Sequence, residues 1–337
     1  MPRTTEDATD RLPEGTVDAV VIGGGAAGLN AALMLARSRR AVVVIDSGSP
    51  RNAPAAAVHG LLGLDGTPPT DLLRTGRDEV RGYGGLVVAG TVTSARAAGV
   101  APDADLRFVV TLADGRTLQT RRLLVATGLR DLLPPVPGLA EHWGRGVVHC
   151  PYCHGWEVRD EPIGVVATGP ASIHHALLFR QLTDDLVYFA GGTDLDQPTR
   201  ARFAARSIRV VDTGVEAVVT AADGGIAGVR LTDGRLVPRR VLAVATTLQA
   251  RTEGLEELGL ETGDLPAGMG RQIVSGMAGA TNVPGVWVAG NATDLTAQVG
   301  AAAAAGALAG ARLNADLAVA DTEAAFAARR EVAPAVG

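Results

Sequence analysis

Residues Asp18–Asp46 read DAVVIGGGAAGLNAALMLARSRRAVVVID, and this stretch decides the fold. An apolar run, Asp18 to Ile22, stops at three glycines, after which Ala26 to Arg37 carries apolar residues at helical spacing. A second apolar run, Ala41 to Ile45, is closed by Asp46. Strand, tight turn, helix and strand make a βαβ unit. Its turn has the form Gly23-x-Gly25-x-x-Gly28. The first glycine permits the tight turn, the second lets the backbone approach a pyrophosphate, and the third lets helix and strand pack closely. The helix N-terminus offers N–H donors and the positive end of its dipole to phosphates, and Asp46 is placed to accept from ribose hydroxyls. Glycines alone mark many ordinary turns, but this strand and helix context favours a dinucleotide site.

Working outward, Arg122 to Ala126 reads as a buried strand that stops at Thr127-Gly128, and Pro134, Pro135 and Pro137 punctuate a loop. A second βαβ-like stretch follows: strand Ile163 to Ala167, a turn at Thr168-Gly169-Pro170, a helix from about Ser172 to Leu182, and strand Asp185 to Ala190. A last strand, Gly285 to Ala289, leads through Gly290-Asn291 to a small-residue helix from about Gln298 to Ala320. The expectation is an α/β chain with two Rossmann-like domains: a flexible tail over residues 1–15, one domain built from residues 16–128 and 251–337, and a second inserted at residues 129–250. The second turn is degenerate. It reads Ala167-x-Gly169-x-x-Ser172, and its strand ends in Phe189-Ala190-Gly191-Gly192, with no Arg for a 2′-phosphate and no acid nearer than Asp194. This predicts a retained scaffold with weak or absent nicotinamide binding.

Composition narrows the class. The 337 residues are 47% hydrophobic and 20% charged, as in folded globular proteins, and the small-apolar run Val299 to Ala311 is too short to span a bilayer. Met1 to Gly15 lacks the basic start and apolar centre of a secretory signal, so a cytoplasmic protein is expected. A net charge of -5 without a basic cluster argues against nucleic acid as a partner.

The chain has 2 cysteines, in His149-Cys150-Pro151-Tyr152-Cys153-His154-Gly155. Thiols at this spacing can close a small disulfide ring, and neighbouring imidazoles can carry the protons that exchange requires. A cationic His149 or His154 would also lower a cysteine pKa. Zinc fits poorly, because four ligands crowded into one hexapeptide rarely surround one ion, and a purely structural disulfide is unusual in a cytoplasmic chain. Trp143, Tyr152 and Trp156 flank the dithiol; they could line a pocket or simply pack. His59, His142, His174 and His175 receive no role.

From Asp18 to about Ala320 the chain resembles the low-molecular-weight thioredoxin-reductase family. The resemblance is carried by the Gly23 motif, Ala126-Thr127-Gly128, the CxxC, and Ala289-Gly290-Asn291 with Gln298 ahead of a small-residue helix. It implies the pyridine nucleotide–disulfide reductase architecture, a homodimer, and FAD held by Gly23, Gly25, Ala27, Gly28, Asp46, Ser47, Arg51, Ala126, Thr127, Gly128, Gly290, Asn291, Gln298 and Val299. It also implies that Cys153 faces the flavin and that Cys150 exchanges with substrate. The chain departs from the reductases in carrying His154 in place of Asp, Asn291 in place of Asp, and the degenerate second turn.

That combination is similar to one branch, the flavin-dependent dithiol oxidases of the gliotoxin and holomycin types, as are Asp46-Ser47-Gly48-x-Pro50-Arg51-Asn52 and His149-Cys150-x-x-Cys153-His154. By that resemblance His149 and Asn52 lie at the active site, although Asn52 taken alone reads rather as a turn residue after Pro50. The implied activity is oxidation of a small-molecule dithiol to a disulfide, with oxygen as acceptor and hydrogen peroxide as product. Two alternatives stay open: a thioredoxin reductase driven by NADPH or ferredoxin, with a thioredoxin-like protein as partner, and a non-catalytic flavin redox sensor.

Overall fold

The computed structural model describes residues 11–100 and 105–332. The first ten residues of the expected tail lie outside the described residues. Strand Thr16–Ile22, helix Ala26–Arg37 and strand Val42–Asp46 form the βαβ unit, with Gly25 as the helix N-cap and the two strands parallel. Leu86–Ala89 adds in parallel beyond Val42–Asp46, and Thr117–Val125 pairs in parallel on the other side of Thr16–Ile22. Thr117–Val125 also receives an antiparallel flap, Val92–Val100 with Leu106–Leu112, and, from far along the chain, the parallel strand Val286–Val288.

The alternation of side chains along these strands divides two cores. Val20, Ile22, Val43 and Ile45 face Phe108, Val110 and Leu112 of the flap. Ala19, Val21, Val42 and Val44 face the helices, packing with Leu29, Leu35, Leu313 and Leu317. Because both faces are covered, the strands are near-continuous apolar runs, which is why they stand out in the sequence.

The second sheet is wholly parallel, in the order Arg209–Val211, Leu186–Phe189, Ile163–Val166, Val241–Val244, Val147–Val148. An antiparallel meander, Val215–Thr220, Ile226–Leu231 and Leu236–Pro238, covers one side with Leu139, Val218 and Val229 in its core. The two segments that run between the large sheets pair with each other: Leu129–Leu132 lies antiparallel to Thr247–Ala250, extended by Gly270–Ile273 and Thr262–Leu265.

Two elements differ from expectation. The strand placed at Arg122 to Ala126 starts earlier, at Thr117, because its first residues pair with the flap. The last helix runs from Val299 to Val332, well past Ala320, because the Ala-, Glu- and Arg-rich continuation has high helix propensity and contains no proline. No helix among the described residues is long and apolar enough to cross a membrane.

Candidate active site

Five chain segments converge on one cavity of about 950 Å³. The Gly23–Gly25 turn and Asp46 line one part, Ala126-Thr127-Gly128 and Gly290-Asn291 the middle, and His149, Cys150, Cys153 and His154 another. Ala27, Ser47, Arg51, Asn52, Gln298 and Val299 also line it, so of the sequence-derived site residues only Gly28 does not. Gly28 instead serves packing: a Cβ there would stand 1.9 Å from the Gly23 carbonyl oxygen.

The turn fits a dinucleotide. A Cβ on Gly25 would meet nothing within 4 Å, so the backbone at the helix N-terminus opens directly onto the cavity. Gly23 holds φ +107° and a Cβ there would press on the Ala126 carbonyl, so glycine is required for the turn itself. Asp46 accepts from the Gly24 N–H at 3.2 Å and from Arg77 at 3.0 Å, which fixes its carboxylate at the strand end. Arg77 was not legible as a site residue, since it comes from helix Pro69–Gly82, outside the motif. At the middle, the Thr127 hydroxyl donates to the Arg251 carbonyl at 2.7 Å and the Arg251 N–H to the Gly128 carbonyl at 3.0 Å, tying the two crossing segments together. Asn291 donates to the carbonyls of Asp294 and Ala297, both at 2.9 Å, so its amide nitrogen braces the loop ahead of the last helix.

Cys150 and Cys153 form a disulfide with Cα atoms 5.2 Å apart. Pro151–His154 is a single helical turn, started by Pro151 at a position where proline costs no hydrogen bond. The Cys153 N–H points at Cys150 Sγ, 3.1 Å away, so the two sulfurs are inequivalent and a thiolate on Cys150 has a donor in place.

Burial depresses the pKa of both flanking imidazoles. For His149, burial is reinforced by the Arg51 cation and opposed by the Val244 carbonyl and Asp131. For His154, burial is reinforced by His59 and His149 and opposed by Glu157, and neither ring nitrogen has a hydrogen-bond partner. With its pKa lowered, each histidine rests neutral at neutral pH and is poised to accept a proton.

Asn52 lies in the turn after Pro50, its carbonyl accepting from the Ala55 N–H at 3.0 Å, and it also lines the cavity, so turn and site readings coincide. Trp143 and Tyr152 line the cavity; Trp156 does not, and instead stacks under Arg159 at 4.2 Å.

Four residues at the site had no sequence signal. Asp131 takes both prongs of Arg51 at 2.7 Å, which, against the opposing effect of burial, holds its carboxyl below the usual range. Thr246 donates to Asp131 at 2.8 Å. Val244 offers its carbonyl to His149 Nδ1 at 3.0 Å. His175, from helix Ala171–Phe179, sets its ring 5.3 Å from that of His149, and burial depresses its pKa to about 4. His142 is buried against Thr220, and His59 lies between Asp65 and Glu157.

The degenerate turn closes on itself. The buried Ser172 hydroxyl accepts from the Thr168 N–H at 3.0 Å, and the Thr168 hydroxyl donates to the Ala245 carbonyl at 2.6 Å.

Comparison with known proteins places this geometry. Residues 17–307 match the model of the pyridine nucleotide-disulphide oxidoreductase family. The chain is 35% identical to thioredoxin reductase tcpT of Claviceps purpurea over 82% of this chain and 86% of that protein. It is 30% identical to thioredoxin reductase aclD of Aspergillus oryzae, over 81% and 88%. Among solved structures it is similar to HlmI, with 45% identity, a TM-score of 0.88, and coverage of 96% of this chain and 100% of that one. It is similar also to an oxidoreductase from Agrobacterium tumefaciens, with 34% identity, a TM-score of 0.82, and coverage of 90% and 99%. With a dinucleotide turn and a Cys150–Cys153 disulfide facing one cavity, the chain belongs to the pyridine nucleotide-disulphide oxidoreductases, a family of flavoproteins, and is a disulfide oxidoreductase.

Proposed function

We propose that this enzyme binds FAD and oxidises a small-molecule dithiol to its disulfide, with oxygen as electron acceptor. The observation that carries the reading is a dithiol sharing one cavity with an intact dinucleotide turn, beside a second turn that has lost its first and third glycines. Gly25 and Gly169 both face the cavity unobstructed, but Ala167 and Ser172 stand where the first turn has Gly23 and Gly28. A dithiol beside a flavin site, with a degenerate nicotinamide turn, favours thiols as the source of electrons.

In this mechanism a substrate thiolate attacks Cys150 Sγ, the bond to Cys153 breaks, and Cys153 leaves as a thiolate stabilised by proton uptake. The second substrate thiol then attacks the substrate sulfur of the mixed disulfide and releases Cys150. The substrate leaves as a disulfide, and the enzyme pair has gained two electrons and two protons. His149 and His154, resting neutral, take a proton from each attacking thiol and return it to each leaving sulfur. Bound FAD would supply two-electron reoxidation of the pair, with oxygen leaving as hydrogen peroxide. The residues to hold it are those of the Gly23–Gly25 turn, Asp46, Thr127 and Gly290, while Trp143 and Tyr152 border the dithiol where an apolar substrate would lie.

The test is oxygen uptake and peroxide formation with a panel of vicinal and ring-forming dithiols. Uptake that depends on Cys150 and Cys153 supports the reading; no turnover with any dithiol rejects it. The names of the tcpT and aclD relatives favour a second reading, reduction of a thioredoxin-like protein, which requires that NADPH or reduced ferredoxin bleach the flavin anaerobically.

A further inference from the structure

Behind His149, on the side opposite the dithiol's own helical turn, the chain builds a short polar relay from residues that belong to no motif. We propose that Asp131, acting through Thr246, is a positioning group for His149, setting its tautomer and offsetting the positive charge it gains on taking a proton from a thiol at Cys150. The inference rests on the dithiol reading above.

The donors and acceptors fix the direction of the relay. Asp131 is nearly buried and receives the Arg51 guanidinium in a two-pronged pair, so it is an anion that can only accept. The Thr246 hydroxyl gives its one proton to Asp131 at 2.8 Å, which turns a lone pair toward His149 Nδ1, 3.4 Å away. The Val244 carbonyl, 3.0 Å from Nδ1, is also an acceptor. The Thr246 N–H lies at 3.4 Å as well, but the shorter carbonyl contact decides. Nδ1 therefore carries the ring proton, and Nε2 is left as the basic nitrogen. On protonation, the imidazolium finds two oxygen acceptors already aimed at Nδ1, one of them polarised by a carboxylate.

The charges around His149 make Asp131 the decisive one. Arg51 is a cation on the same side and opposes the imidazolium, while His175 and His154 are held neutral by burial. Among the described groups acting on His149, Asp131 is the anion that offsets Arg51. The four partners also come from separate places: Arg51 from the loop after strand Val42–Asp46, Asp131 from strand Leu129–Leu132, Thr246 from the residue before strand Thr247–Ala250, and His149 from the residue before the dithiol. The proton acceptor is thus braced at the point where both crossing segments pass it.

The experiment uses the full-length holoprotein with Cys153→Ser, in which Cys150 is the one remaining cysteine. The His149 ring, identified by the loss of its signal in His149→Gln, is titrated by NMR of histidine-labelled protein, which reads its protonation without any turnover. Removing the anion leaves Arg51 uncompensated, so Asp131→Asn moves the His149 midpoint down by about one pH unit, about a 10-fold loss of imidazolium at a given pH above it. Thr246→Val moves it in the same direction, Thr246→Ser restores it, and Arg51→Gln moves it the opposite way. A purely structural role would not give shifts of opposite sign. Should Asp131→Asn fail to fold, the Thr246 pair carries the test. An unshifted His149 midpoint in Thr246→Val, or a midpoint that moves down in Arg51→Gln as well, would overturn the proposal. Loss of the dithiol reading is a separate result, seen as an unmodified enzyme whose flavin no dithiol reduces.

Discussion

The hydroxyl of Ser172 sits where the third residue of a dinucleotide motif would be, and it accepts the backbone N–H of Thr168 at 3.0 Å across the turn. Ala167 and Ser172 thus replace two of the glycines that let a dinucleotide turn form and pack, and no Arg follows Leu186–Phe189 to hold a 2′-phosphate. Neither NADPH nor NADH is therefore expected to reduce the flavin efficiently. Anaerobic stopped-flow with each nucleotide checks this, and complete bleaching within milliseconds at micromolar nucleotide would return the enzyme to the reductases.

Two glycines of the first turn should fail in different ways. Gly25→Asp adds its side chain to open space at a backbone angle of φ -78°, so the protein folds but a carboxylate meets the pyrophosphate and FAD is lost. Gly28→Ala drives a methyl into the Gly23 carbonyl and destabilises the fold itself, toward the upper end of roughly 1–3 kcal/mol. Urea unfolding and flavin absorbance, measured on both variants, separate the effects.

The inequivalent sulfurs predict an asymmetric pair of variants. Cys153→Ser is expected to accumulate a substrate adduct on Cys150, visible as added mass with the flavin still oxidised. Cys150→Ser is expected to form no adduct and to retain FAD. Dithiol oxidation that persists in the double variant would remove the pair from the mechanism.

His175 gives the fold a pH dependence of known sign. Its folded pKa, about 4, lies below the ordinary value of 6.5, so the unfolded chain binds the extra proton between these limits. Stability from this site is present above pH 6.5 and is lost as pH falls toward 4, by on the order of 3 kcal/mol. His175→Leu should flatten the decline of urea midpoint over that window. An unchanged slope would show that some other group is responsible.

Much of this was legible in the chain because the decisive elements are local and buried on both faces. The run from Asp18 to Asp46 carries its own turn, cap and strand-end acid, and its strands appear within a residue or two of expectation. The dithiol was legible because its chemistry needs two particular residues at one spacing. Asp131, Thr246 and His175 were not, because each becomes part of the site only by tertiary placement. A lone Asp between Arg130 and Leu132, or a Thr before a strand, carries no periodicity and no motif. The lowered pKa of His149 and His154 was not legible either, since desolvation depends on neighbours that the hexapeptide does not contain.

The last helix lies on Ala26–Arg37 with almost no side chain between them: a Cβ on Gly306 would stand 2.0 Å from the Ala27 carbonyl oxygen, and one on Gly310 2.7 Å from that of Ala31. The helix that opens the turn is therefore covered by a segment synthesised long after it. Until that segment is made, the sheet around Thr16–Ile22 lacks both Val286–Val288 and this cover, whereas the sheet built from Val147–Val244 already has all of its strands. Chains arrested after Pro284 are therefore expected to take up no FAD in a translation-arrest experiment, whatever the concentration supplied.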